Sequence, residues 1–392
     1  VLLTLLLAAA LPTPNASPAM QPRGTFTLSP DAETRWIPFD LTPGNQLRFS
    51  LEIDGRTASA ILDTGVSYSV LSRRFADQAA LKVTAGGNAT AIGGMVPIGW
   101  TPTQQVRLGS VTRVGGGLAV AALPALATGS AEPVDLLVGR DLTASFALDI
   151  DFVARRFRLL PSGRMPFRGF TAPLWISRDR LVYVSELSLG ATSLRPMIVD
   201  TGDGSSVTVT AEGWTAAKID GVRTTSTISF GLAGTVTSTI GIVPVLRLGE
   251  LAARRVEVRV EPAGGFSETI QAAGRIGTGF LQNYRVLLDP TARRMILAPG
   301  ASADQPPLRS TSGLLVGIDR DRLRVLHVMR NGPAARAGWS AGETICAIDG
   351  QPIPKDYATS PLATWSADTP GRTVRLRLCD GPERRLVLQQ FY

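Results

Sequence analysis

Ile61-Leu62-Asp63-Thr64-Gly65-Val66-Ser67-Tyr68-Ser69 and, 137 positions on, Ile198-Val199-Asp200-Thr201-Gly202-Asp203-Gly204-Ser205-Ser206 carry the same tripeptide in the same setting. Each Asp-Thr-Gly closes an apolar run, Ala60-Ile61-Leu62 or Met197-Ile198-Val199, and opens a stretch rich in Ser, Thr and Val. A carboxylate at a strand end projects into a cleft beyond it. The glycine beside it lets the backbone approach closely and turn an N–H toward the carboxylate. The threonine hydroxyl of one copy can bond across to the other. Two such carboxylates brought together share one proton, because like charges in contact do not both ionise. A water held between them meets a base on one side, while the protonated partner polarises a carbonyl. That is the chemistry of peptide-bond hydrolysis.

Further landmarks repeat at nearly the same spacing. Leu137-Val138-Gly139-Arg140-Asp141-Leu142 follows the first copy, and Arg275-Ile276-Gly277-Thr278-Gly279-Phe280-Leu281 follows the second, with Gly139 and Gly277 138 positions apart. Ala154-Arg155-Arg156-Phe157-Arg158-Leu159 and Ala292-Arg293-Arg294-Met295-Ile296-Leu297 are also 138 apart. The agreement implies an internal duplication, with units too long for a solenoid repeat. Each unit opens with a predicted hairpin. In the first, Leu47–Ile53 alternates apolar and polar, Asp54-Gly55 signals a tight turn, and a second strand runs into Asp63. In the second, Leu181–Val184 leads through Gly190 to the strand ending at Val199. Each unit closes with another strand pair, and short helices are expected after Gly139 and Gly277.

Composition agrees with a β-rich globular chain. The 392 residues are 44% hydrophobic and 18% charged, enough to bury a core, and 40 Gly with 27 Pro favour short strands joined by turns. The net charge of +8 comes almost wholly from scattered arginines, since only Lys82, Lys218 and Lys355 are lysines. No basic block interleaves with aromatics, which argues against nucleic-acid binding. His327 is the only histidine and lies in an apparent strand remote from any nucleophile motif, which removes Ser-His-Asp and Cys-His hydrolases. It reads as a structural or exposed strand residue. No phosphate loop or dinucleotide fingerprint occurs. Two thiols and one histidine do not make a structural zinc site, so neither metal nor cofactor is expected. Cys346 and Cys379 either pair, if the chain is exported, or sit as small buried residues in neighbouring strands.

Both halves resemble the retropepsin-like aspartyl proteases. The matching pattern is an apolar run into Asp-Thr-Gly-Ala-x-x-Ser, then apolar-apolar-Gly-x-Asp-apolar-Leu. The second half departs from it with Asp203 after the glycine and Gly279 in place of the later Asp. The resemblance implies Asp63 and Asp200 as the catalytic dyad, supported by Thr64, Gly65, Thr201 and Gly202. It implies a flap, with Gly93, Gly94 and Met95 in one candidate hairpin and Gly231 and Gly234 in the other. The bland reading of these glycines is simple hairpin turns. The fold implied is mainly β: two duplicated β-barrel lobes, residues 35–165 and 170–300, forming one pseudo-two-fold bilobal unit. One chain would then suffice for the site.

Past the proline-rich linker 301–308, residues 309–392 resemble a PDZ domain of the kind attached to bacterial proteases. The resemblance rests on Ser312-Gly313-Leu314-Leu315-Val316-Gly317, Asn331-Gly332-Pro333-Ala334-Ala335-Arg336-Ala337-Gly338 and Gly342-Glu343-Thr344-Ile345 with the Asp349-Gly350 turn. It implies that Gly313, Leu314, Leu315 and Val316 receive a peptide C-terminus, although Leu315 stands where the commoner loop has a second glycine. A purely structural domain is the plainer reading. Residues 1–20 carry a short apolar run followed by small residues, expected to be a signal peptide of an exported, periplasmic or secreted protein without a transmembrane anchor after its removal. Protein or peptide substrates are the expected partners of an aspartic endopeptidase; the rival is a catalytically silent scaffold that kept the fold.

Overall fold

The computed structural model describes residues 24–125 and 133–392, so the expected signal segment 1–20 lies outside the described residues. The protein is mainly β. In the first half, Leu47–Ile53 pairs antiparallel with Arg56–Leu62 through a two-residue turn in which Asp54 and Gly55 both have positive φ. That backbone twist matches the strands it joins. Arg56–Leu62 then runs parallel to Leu136–Val138, which pairs in turn with Val70–Ser72. The second half repeats the arrangement: Thr192–Asp200 is parallel to Gly274–Gly277, which pairs with Val207–Val209. Ser72 and Thr210 cap the helices Arg73–Gln78 and Ala211–Ala217, each hydroxyl accepting from a backbone N–H at 3.1 Å. The short helices after Gly139 and Gly277 span Arg140–Thr143 and Thr278–Leu281.

The halves meet in a shared six-stranded sheet. Ala147–Asp151 of the first pairs antiparallel with Tyr284–Asp289 of the second, so Asp149 lies opposite Leu287. These two residues are 138 positions apart, the repeat offset itself. Equivalent residues facing each other across an antiparallel pair place a local two-fold axis between them. Leu148, Ile150, Val286 and Leu288 are fully buried there, in a core cluster that runs through both halves. Burial of each such side chain contributes about 1.5–3 kcal/mol. The same sheet encloses a charge. The Asp149 carboxylate has no exposed surface and pairs at 2.9 Å with both Arg158 and Arg285.

The last sheet contains Leu314–Asp319, Arg322–Val328, Thr344–Ile348, Gln351–Pro352, Thr373–Leu378 and Glu383–Val387, over its own core that includes Leu323, Trp365 and Leu376. Cys346 and Cys379 are joined in a disulfide with Cα atoms 5.0 Å apart. Against the second half, Ser226 Oγ accepts from Arg330 N at 2.9 Å and lies 2.8 Å from His327 Nε2, while Thr225 Oγ1 donates to the Arg330 carbonyl. Ile240, Met329 and Tyr392 make an apolar contact at this junction. The lone histidine thus joins two parts of the chain.

Replacing Asp149 with Ala leaves two guanidiniums facing each other in the shared sheet. We expect Asp149→Ala to lower unfolding free energy by about 3 kcal/mol or more. Urea denaturation measures this, and a loss under about 1 kcal/mol would show that the pair is not structural.

Candidate active site

The two Asp-Thr-Gly turns meet at the base of a cleft. Thr64 N donates to Thr201 Oγ1 at 3.1 Å, and Thr201 N to Thr64 Oγ1 at 3.0 Å. Each hydroxyl in turn donates to the backbone of the other half: Thr64 to Val199 O at 2.6 Å, Thr201 to Leu62 O at 2.7 Å. These four buried bonds satisfy both hydroxyls and lock the aspartates to one another. Each glycine then lies against the opposite carboxylate. A Cβ on Gly65 would sit 2.4 Å from Asp200 Cγ, and one on Gly202 would sit 2.3 Å from Asp63 Cγ. Two side-chain bonds from the first half tie down the second turn: Gln46 Nε2 donates to Gly202 O and Asn45 Nδ2 to Gly204 O. Neither residue carries a motif, so sequence reading passes over them.

Asp63 and Asp200 are both buried and face each other's charge. Burial first, and then the Asp200 carboxylate, push the Asp63 carboxyl well above the ordinary value of 3.8, against the opposing amide of Gly65. Burial and the Asp203 charge push Asp200 up to about 6; the Arg275 guanidinium and the amides of Gly202 and Asp203 hold it from going further. Burial and mutual charge thus hold both carboxyls above the ordinary carboxylate range, so the pair releases its protons less readily than free carboxyls.

The departures Asp203 and Gly279 compensate one another. In the first half, the Asp141 carboxylate accepts from Ser69 N and Oγ and lies 3.6 Å from Arg113. In the second half the turn is one residue longer. There Asp203 accepts from Ser205 N and Oγ at 2.9 and 2.6 Å and pairs with Arg275 at 2.8 Å. The same carboxylate–serine–arginine support is built from a different position. Gly279 is glycine because a Cβ there would lie 2.8 Å from the backbone of Ser205. Burial would raise Asp203, but Arg275 and Arg259 overcome it and hold the carboxyl down at about 2. Arg275 also pairs with Glu261 at 2.6 Å and donates to Ser267 Oγ at 2.9 Å. This buried network escapes motif reading. The signal for it is a charge in an otherwise apolar column, Arg275 standing where the first half has Leu137.

Two hairpins roof the cleft. Thr84–Ala91 with Gly94–Pro102 turns at Ile92-Gly93, and Thr224–Gly231 with Gly234–Leu248 turns at Leu232-Ala233. Their tips touch: Ala233 N donates to Ile92 O at 3.2 Å. A Cβ on Gly231 would stand 2.2 Å from that carbonyl, and one on Gly93 would stand 2.9 Å from Ala233 C, so side chains are excluded at both. Gly94 and Gly234 open the return strands with positive φ. Met95 points away, largely exposed and absent from the cleft lining. The enclosed space is about 880 Å³ and reaches both aspartates.

None of the four residues 313–316 lines this cleft. Gly313 N donates to Ser310 Oγ and Leu314 N to Ser312 Oγ, so these two amides are committed within the chain. A free carboxylate cradle spanning Gly313 to Val316 is therefore not what the loop presents. Leu314–Asp319 is instead an edge strand that, among the described residues, pairs only with Arg322–Val328. Among the described residues no group of His, Cys, Asp and Glu is arranged to hold a metal ion, and no helix is long and apolar enough to cross a membrane.

A family model described as aspartyl protease matches residues 49–142, the stretch from Phe49 through Asp63 to Leu142. No curated protein matches the chain. The family match makes the first half similar to aspartyl proteases and supports peptidase activity in general.

Because folding raises the Asp200 pKa from 3.8 to about 6 and raises Asp63 as well, the folded state holds these protons more tightly than the unfolded chain. Their contribution to stability is complete below about pH 4 and is lost as pH rises through the folded values. We expect Asp63→Asn to be more stable than the parent at pH 7, with the gap closing below about pH 4. Thermal melts from pH 3 to 8 measure it; a gap independent of pH would show that the pair is not held protonated.

Proposed function

We propose that the protein is an aspartic endopeptidase whose single chain supplies both catalytic aspartates, Asp63 and Asp200. The observation that carries this reading is the pair of buried carboxylates facing one another over the crossed threonine bonds, beneath a glycine-tipped roof. A water between them loses a proton to ionised Asp200 as its oxygen attacks the scissile carbonyl carbon. Protonated Asp63 gives its proton to the carbonyl oxygen, forming a gem-diol. Asp200 then passes its proton to the amide nitrogen, the C–N bond breaks, and Asp63 regains a proton from a diol hydroxyl. Arg275, 4.0 Å from Asp200 and already paired with Asp203, favours the negative charge on the Asp200 side. The hairpins with Gly93, Gly94, Gly231 and Gly234 act as paired flaps, parting to admit an extended chain. Closed, they exclude water and strengthen the electrostatics beneath them.

In the same reading, residues 35–165 and 170–300 are the catalytic lobes and 301–308 is the linker. Residues 309–392 form a PDZ-like domain that positions protein substrates by adding a peptide strand to the open edge of Leu314–Asp319. The Cys346–Cys379 disulfide supports an exported protein, periplasmic or secreted, since such bonds persist in oxidising compartments.

Asp63→Asn and Asp200→Asn should each reduce peptide cleavage by about a thousandfold or more while preserving the fold, and a chelator should leave the parent rate unchanged. Mass-spectrometric cleavage mapping of unstructured proteins from pH 4 to 8 supplies the assay. A parent protein with no cleavage across that range would mark a silent scaffold. Gly65→Ala forces the Asp200 carboxylate aside and should cost about a hundredfold in kcat/KM. Activity retained in that variant would contradict the close approach of the turns.

A further inference from the structure

The pseudo-two-fold axis relates two walls of the cleft whose chemistry is not alike. In the first half, Leu137 lies between Ile61 and Val70, and Ala119 pairs with Val70. At the matching places of the second half, Arg275 lies between Ile198 and Thr208, and Arg259 pairs with Thr208. The wall beside Asp63 is thus apolar, with Leu137 packed into a cluster with Ile61, Leu123 and Val134. The wall beside Asp200 carries two guanidiniums that reach the cleft.

These guanidiniums are in different states. Arg275 is consumed by Asp203, Glu261 and Ser267 Oγ. Arg180, which also reaches the cleft, donates to Ile270 O, Ser177 Oγ and Gln271 Oε1. Arg259 has no carboxylate within 4 Å among the described residues, and its Nε is buried without a hydrogen-bond partner. Asp203 and Glu257 feel the Arg259 charge from beyond 4 Å, and Asp203 and Glu261 are already bonded to Arg275. The Nε itself is closed off, but a half-buried guanidinium that lines the cleft without a close ion pair leaves its terminal N–H groups to take a carboxylate there.

We propose that Arg259 receives a carboxylate side chain of the substrate, so that the protein prefers Asp or Glu on the Asp200 side of the scissile bond and an apolar residue on the Asp63 side. This rests on the peptidase reading above and names its substrate class. A planar guanidinium suits the two oxygens of a carboxylate better than a single amide oxygen, so the isosteric Gln peptide is the sharpest comparison.

The test uses peptides blocked at both ends, which removes the terminal carboxylate as an alternative source. Each has an apolar residue on one side of the scissile bond and Glu, Gln or Lys at successive positions on the other. We expect kcat/KM for Glu to exceed that for Gln by at least about tenfold at one position. The ratio should collapse toward one in Arg259→Met, and Arg259→Glu should turn the preference toward Lys. This reversal is a gain that misfolding cannot produce. Cleavage by the parent with no Glu-over-Gln preference at any position overturns the inference and leaves the peptidase reading intact. Binding of the same peptides to Asp63→Asn, followed by fluorescence anisotropy, tests Arg259 without turnover. Tighter binding of the Glu peptide that is lost in the double variant with Arg259→Met supports the inference even if the parent cleaves nothing; equal binding of the Glu and Gln peptides overturns it.

Discussion

Four hydrogen bonds between Thr64 and Thr201 and the backbones on either side hold the rest of the site in register. All four are buried, so breaking any of them leaves a polar atom without water to replace its partner. They join the ends of two strands, and the aspartates are the residues immediately before the threonines. The separation of the carboxylates is therefore set by backbone, not by flexible side chains. The close approach of Gly65 and Gly202 to the opposite carboxylates follows from the same lock, as does the charge repulsion that keeps a proton on the pair.

Around this symmetric floor the two halves diverge in charge. Asp141 supports the first turn from the short helix after Gly139, whereas Asp203 supports the second from within the turn itself. From there the carboxylate contacts Arg275, and Arg275 also pairs with Glu261. The result is a buried ion network on one side of an otherwise matched dyad. Its Arg275 favours the ionised form of Asp200, and it turns one wall of the cleft polar. Two halves of one chain can differ in this way, while a symmetric pair of identical chains cannot.

Much of this was legible in the amino-acid order. The hairpin at Asp54-Gly55, the short helices after Gly139 and Gly277 and the strands leading to Asp63 and Asp200 all depend on local patterning, and the structure contains them. Asn45 and Gln46 were not legible, because their bonds reach residues more than 150 positions away. Nor was the direction of Met95, which shares a hairpin with the roof yet faces solvent. The amides of Gly313 and Leu314 were readable as free donors only until the nearby serine hydroxyls were placed.

Sequence alone carried the repeated Asp-Thr-Gly setting, the β-rich patterning and the two strand-end aspartates. Alternation, turn residues and a constant offset are properties of neighbours along the chain. The tertiary structure decided which carboxylates are paired, which hairpin tips meet, where His327 docks, and that Arg259 lines the cleft with its Nε unbonded. Those outcomes depend on distances between residues remote in sequence, and on how few acceptors a buried guanidinium finds once the strands have closed around it.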